Sequence, residues 1–131
     1  MLKVTPYLYF NGNCAEAIAL YQKAFNVKVE EIWPYEEGSD LVAHADFEIG
    51  GDPICLCDAE QPVTVGNNTM IAIQFDAEDE SDAAWAKTAF DTLKESGEVI
   101  EELEENSWNK CHGILVDKFG LRWQMCGGMK E

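Results

Sequence analysis

Basic residues are scarce in this chain. Nine lysines and arginines stand against 25 aspartates and glutamates in 131 residues, a formal net charge of −16. Such a surface repels phosphate backbones and anionic lipid, and no lysine/arginine cluster offsets it locally, which argues against nucleic-acid and membrane partners. Long apolar runs are missing as well: none approaches the roughly 20 residues of a membrane-spanning helix. Met1-Leu2-Lys3-Val4-Thr5 has no apolar signal-peptide core. The five cysteines are odd in number and lack framework spacing, so reduced thiols in a cytoplasmic protein are the expectation. No phosphate-binding loop, Ser/His/Asp order or paired-carboxylate arrangement stands out.

What is present is a pattern stated twice. With 47% hydrophobic residues the chain is globular. Its length fits one domain, or two half-sized modules sharing a core. A globule of this size buries about two thirds of its unfolded surface, which suffices without metals or disulfides. Residues 4–58 read as strand, helix, strand, strand, strand, and residues 68–126 repeat that order. We place module one at about residues 3–58, a link at about 59–67 and module two at about 68–128, within a single domain 1–131. One helix per module covers one face of a small sheet, so paired modules leave a shared concave surface that suits a ligand.

Local signals place the elements. Val4–Phe10 is rich in β-branched and aromatic residues and ends at the turn Asn11-Gly12. Asn13 with Glu16 has the capping-box spacing, and Cys14, Ala17, Ile18, Tyr21, Ala24 and Phe25 recur at helical period, predicting a helix over 14–25. Val27–Trp33 alternates up to Pro34. In Leu41–Ile49 the residues Leu41, Ala43, Ala45, Phe47 and Ile49 point one way and His44, Asp46 and Glu48 the other. Gly50-Gly51-Asp52-Pro53 turns the chain into Ile54–Cys57. In module two, Thr69–Phe75 reads as a strand and residues from about Asp82 to Ser96 as a helix stopped by Gly97. Glu98–Glu105 alternates as an exposed strand, and Cys111–Asp117 and Leu121–Cys126 form a hairpin about Lys118-Phe119-Gly120. The acids Glu78-Asp79-Glu80-Ser81-Asp82 complement a helix start, and those of Glu98–Glu105 form a solvated face.

Three motifs carry a resemblance. Asn11-Gly12-Asn13-Cys14-Ala15-Glu16-Ala17 with Tyr21, the strand opening His44-Ala45, and Asp117-Lys118-Phe119-Gly120-Leu121-Arg122-Trp123 resemble the PhnB-like branch of the vicinal oxygen chelate (glyoxalase/bleomycin resistance/dioxygenase) superfamily. Trp108 followed by His112-Gly113 is similar to the approach to that ending. The resemblance implies an α+β fold of paired βαβββ modules, usually completed as a homodimer, with a cupped mixed sheet around a ligand or metal. Relatives include glyoxalases, ring-cleaving dioxygenases and antibiotic-sequestering or antibiotic-modifying proteins, so the fold names no reaction. Some PhnB-like sequences carry a ubiquinone-methyltransferase label. It is discounted here, because the chain has no glycine-rich strand-to-helix loop for a nucleotide-like cofactor.

Enzymes of the superfamily hold a divalent ion with four ligands, one from the first and fourth strand of each module, typically His and Glu. The resemblance puts Thr5, Cys55, Met70 and Gln124 at those positions. Hydroxyl, carboxamide and thioether groups suit neither hard nor borderline ions, and Cys55 ligates strongly only as a thiolate. The usual metal site is therefore expected to be absent and no cofactor is required, a divalent metal being disfavoured. A zinc site from His44, Cys55 and Cys57 is the competing arrangement, although Cys-x-Cys lacks the spacing of zinc knuckles. Buried cysteines acting as small hydrophobes are the plainer reading.

His44, beside Asp46 and Glu48, is the candidate general base, against a surface or hydrogen-bonded histidine. His112 is placed at the mouth of the cup. Cys14, at a helix start but on its apolar face, reads as core. Tyr7 and Tyr9 share a strand face and, with Trp33, Trp108 and Tyr35, offer aromatic walls for a flat or amphipathic ligand. The expectation is a small-molecule-binding protein gripping its ligand with Tyr7, Tyr9, His44, Cys55, Cys57, Trp108, His112 and Gln124, without the His/Glu site. The alternatives are a lyase, isomerase or dioxygenase with an altered metal site at Cys55, Gln124 and one histidine, or a protein that works through its dimer surface.

Overall fold

A computed structural model describes residues 1–131. The chain divides into two compact units, Met1–Thr64 and Val65–Glu131.

The first unit runs β1 (Tyr7–Phe10), α1 (Cys14–Phe25), β2 (Ile32–Pro34), β3 (Val42–Ile49) and β4 (Asp52–Asp58). Its sheet has the order β1-β4-β3-β2, with β1 parallel to β4 and the other pairs antiparallel. Apolar residues at helical spacing make α1 lie on one face of that sheet: Cys14, Ala17, Ile18, Tyr21, Ala24 and Phe25 are all buried. Opposite them, the alternation of the strands supplies Leu8, Phe10, Ala45, Phe47, Ile54 and Leu56. The rings of Tyr21 and Phe25 lie 6.0 and 5.9 Å from that of Phe47, closing the core. Burying a side chain such as Phe47 contributes about 1.5–3 kcal/mol.

Three local expectations need correction. Asn13 is the N-cap residue of α1, but its side chain makes no capping hydrogen bond. The buried Asp58 carboxylate at the end of β4 instead accepts from Cys14 N–H at 3.0 Å, so a tertiary partner replaces the capping box. Val27–Glu31 does not pair, and β2 is only the three residues Ile32–Pro34. The alternation of β3 also slips. Trp33 pairs with His44 while Pro34 pairs with Val42, so Ala43 is an extra residue in the ladder. The resulting bulge turns Val42 into the core, where its N–H donates to Asp58 at 2.9 Å.

The second unit repeats the plan with β5 (Ile71–Gln74), α2 (Glu80–Lys94), β6 (Glu98–Glu104), β7 (His112–Val116) and β8 (Arg122–Cys126) in the order β5-β8-β7-β6. Helix α2 begins two residues before the expected Asp82, because Asp79 caps it by accepting from the N–H groups of Ser81 and Asp82. Ala86, Ala89, Phe90 and Leu93 of α2 are buried, as are Ile73, Leu115, Trp123 and Met125 of the strands, and α2 contacts β6 and β7. Residues 98–104 form a strand, as their alternation predicts. The two units are thus βαβββ modules in an α+β fold. Neither helix is long and apolar enough to cross a membrane.

The sequence Asp117–Trp123 is a structural lock. Asp117 is buried; one of its oxygens accepts from the N–H groups of Phe119 and Leu121 and the other from the Trp123 indole at 2.8 Å. Gly120 has φ +88°, a conformation that side chains rarely adopt.

Candidate functional site

On the face of the first sheet turned away from α1, five of the expected site residues come together. In β1 the alternation is complete: Leu8 and Phe10 are buried, while Tyr7 and Tyr9 are 44% and 56% exposed. Parallel pairing sets Tyr7 against Cys55 and Tyr9 against Cys57, and antiparallel pairing sets Asp46 against Cys55. The Tyr7 and Tyr9 rings stack at 5.4 Å with 26° between their planes.

A polar chain crosses this face. The Tyr7 hydroxyl lies 2.9 Å from His44 Nδ1, and His44 Nε2 lies 3.1 Å from Asp46 Oδ2. An ionised carboxylate only accepts, so Asp46 favours the tautomer with its proton on Nε2, leaving Nδ1 to accept from the Tyr7 hydroxyl. A ring nitrogen of His44, a carboxylate oxygen of Asp46 and the Cys55 sulfur all lie within 4.8 Å of one another. Cys57 is not part of that group.

Burial sets the acid–base character of the neighbouring groups. It pushes the Cys55 thiol up, with the Asp46 carboxylate adding to the effect and Lys3 opposing it. Burial and then Asp58 push Cys57 up, with the nearby Tyr7 hydroxyl opposing them. Burial likewise raises the Tyr7 phenol, with smaller contributions from Cys57 and Cys55. These groups are protonated at neutral pH. Cys14 is pushed up to about 12 by burial and then by Asp58, so it is an inert core thiol despite its place at a helix start.

Next to the stacked tyrosines is a cavity of about 470 Å³ lined by Tyr7, Tyr9, Tyr35, Ala43, Cys57 and Glu60 among others. A second, of about 540 Å³, lies beside the Asn11-Gly12 turn with Tyr35, Leu41, Asp58 and Pro62. Tyr35 borders both and is held by its hydroxyl, which donates to the Asp58 carbonyl at 2.6 Å. The segment after β4 is fixed by Asn11, whose side chain bonds both the N–H and the C=O of Val63.

The remaining expected residues belong to the second unit. Gln124 is half-buried on β8 between Ala72 and Ile114, on the face away from α2. His112 opens β7 beside Glu104 and Cys126. Its Nδ1 is 3.3 Å from Glu101 Oε2 but misaligned, and that buried nitrogen makes no hydrogen bond. Trp108 is 73% exposed in a turn held by the Asn106 side chain, which accepts from the N–H groups of Trp108 and Asn109. Trp33 is also exposed, its indole donating to Glu31.

Of the four positions assigned to a metal by resemblance, Thr5 and Met70 precede β1 and β5, and Cys55 and Gln124 lie opposite Tyr7 and Ala72 instead. Hydroxyl, thioether and carboxamide donors do not fit the divalent ion that such positions hold. Asp46 is the functional candidate that periodicity undervalued. The signal for it was present: Gly50 and Gly51, both at positive φ, form a two-residue hairpin loop closed by Ile49 and Asp52. That loop fixes the register, and counting back from it puts Asp46 opposite Cys55.

The comparisons agree with the fold. The family model described as 3-demethylubiquinone-9 3-methyltransferase matches residues 2–126. Protein PA1353 from Pseudomonas aeruginosa superposes with a TM-score of 0.81 at 27% identity, covering 96% of this chain and 97% of that one. The PhnB protein from Bacillus cereus superposes with a TM-score of 0.77 at 25% identity, covering 95% and 98%. Protein YjdN of Escherichia coli (strain K12) is 26% identical over 142 residues, covering 95% of this chain and 94% of its own. The chain belongs to this 3-demethylubiquinone-9 3-methyltransferase family, the PhnB-like branch of the vicinal oxygen chelate superfamily.

Proposed function

We propose that this chain is a small-molecule-binding protein of the glyoxalase/bleomycin resistance fold that works without the usual His/Glu metal quartet. The observation that carries this reading is the open face of the first sheet. Stacked Tyr7 and Tyr9 border a cavity of about 470 Å³, with His44 within hydrogen-bonding distance of Tyr7 and the thiols of Cys55 and Cys57 in register beside the two rings. Two rigid rings supply contact area at small entropic cost, and the histidine and carboxylate fix orientation. The family description does not make the chain a methyltransferase, since it has no glycine-rich loop for a nucleotide-like methyl donor.

Native mass spectrometry of gently desalted protein tests this. An organic adduct that is lost in Tyr7→Ala and weakened in Tyr9→Ala supports it. An adduct unchanged in both variants removes the assigned face from the site. A second reading, a metal-dependent lyase, isomerase or dioxygenase with an altered site, is favoured by one observation, the convergence of His44, Asp46 and Cys55.

A further inference from the structure

We infer that His44, Asp46 and Cys55 form a binding site for one borderline divalent transition ion, of the zinc or cobalt class, on the open face of the first sheet. This site shares His44 and Cys55 with the face described above, but the inference rests on their geometry and not on the ligand reading. It also differs from the arrangement the sequence suggested, because Asp46 replaces Cys57.

The donor set is one imidazole nitrogen, one carboxylate oxygen and one sulfur, drawn from two neighbouring strands and mutually within 4.8 Å. Zinc bonds to such atoms run from about 2.0 to 2.3 Å, so donors around one ion sit about 3–4 Å apart, and small rotations of three side chains reach that spacing. Mixed N/O/S coordination selects against magnesium and calcium, which take oxygen. The positions are held firmly: Asp46 and Cys55 are cross-strand partners in a register fixed by the Gly50-Gly51 loop, and His44 follows two residues before Asp46 on the same face.

The surroundings complete the site. A metal-bound histidine ordinarily places its second ring nitrogen against a hydrogen-bonding partner, which orients the ring. The Tyr7 hydroxyl, 2.9 Å from Nδ1, stands in that position. When Nε2 ligates, the ring proton resides on Nδ1 and is donated to the tyrosine oxygen, so the imidazole stays neutral. The Cys55 thiol gives up one proton to solvent as its sulfur takes the ion. His44 and Cys55 are half-buried and Asp46 is exposed, so the three protein donors leave a fourth position open to water or to a ligand oxygen.

The test is a Co(II) titration of the reduced, metal-free protein followed by absorption spectroscopy. One equivalent per chain is expected to produce thiolate-to-cobalt charge transfer together with the visible bands of a four-coordinate ion. Cys55→Ser is expected to abolish the charge transfer, and His44→Ala and Asp46→Asn to weaken binding by about tenfold or more. Circular dichroism verifies that each variant is folded, and Zn(II) competition reports affinity where the spectrum is lost. Absent bands in the folded wild-type protein overturn the proposal, as do bands that survive Cys55→Ser. Bands lost in Cys57→Ser but kept in Asp46→Asn overturn it in favour of a two-cysteine site. A metal-loaded protein with no organic adduct supports this site while removing the ligand reading, so the two fail separately.

Discussion

Asp58 shows how much one buried side chain organises. It is 1% exposed, and its two oxygens accept from Cys14 N–H at the start of α1 and from Val42 N–H at the bulge of β3. Removing the carboxylate leaves two buried donors without partners, each costing about 1–3 kcal/mol. Asp58→Ala is therefore expected to lose about 3 kcal/mol or more, read as a lower denaturant midpoint in urea. Asp58→Asn retains one acceptor and is expected to lose less. Equal losses in both variants would count against this division. Asp117 does the corresponding work in the second unit, which explains why the motif carrying the family resemblance is a turn and not a reactive group. Gly113 is a second residue-scale constraint. An added Cβ would stand 2.8 Å from Leu103 Cα and 2.8 Å from Phe90 Cε2, so Gly113→Ala overpacks the contact of α2 with its sheet. A loss of about 1–3 kcal/mol is expected in the same urea assay.

At the scale of elements, both helices were legible in the sequence, and their starts are set by different chemistry. Helix α2 has a local cap: Asp79 accepts from the hydroxyl and N–H of Ser81 and the N–H of Asp82. The Ser81 hydroxyl first, and then the two N–H groups, hold its carboxyl below the usual carboxylate range. A depressed folded pKa contributes stability that is present above the unfolded value and lost as pH falls through the folded one. The thermal midpoint is thus expected to fall with acid below about pH 4, and Asp79→Ala to flatten part of that slope. An identical acid slope in the variant would show that the cap is energetically silent. Helix α1 has no such local cap, because its donor is satisfied by Asp58, 44 residues away. No local reading reaches that partner. Strand β2 is shorter than its alternation suggests: Val27–Glu31 stays outside the ladder, which begins at Ile32 opposite Ala45. Within the candidate site, Tyr7, Tyr9, Cys55 and Cys57 followed from alternation alone. Asp46 required the hairpin register, a long-range consequence of two glycines.

For the whole molecule, charge and open edges together govern association. Each sheet has two edges. Strand β6 carries Glu98, Glu101, Glu102 and Glu104, and β2 ends in Pro34, so both are guarded against pairing with another chain. Strands β1 (Tyr-Leu-Tyr-Phe) and β5 (Ile-Ala-Ile-Gln) carry neither charge nor proline, and each offers its outer backbone groups to a partner. Self-association, expected as a homodimer, is proposed to use these edges, against the mutual repulsion of chains bearing −16 each. Repulsion between exposed charges is largely screened beyond about 10 Å at 0.1 M salt. Light scattering coupled to size exclusion is therefore expected to give a dimer mass at moderate ionic strength and partial dissociation at low salt. A lysine at the exposed Ala72 of β5 is expected to shift the balance to single chains at either salt. The mass of one chain at every salt concentration would remove the homodimer, and a dimer unmoved by Ala72→Lys would move its contact away from that edge.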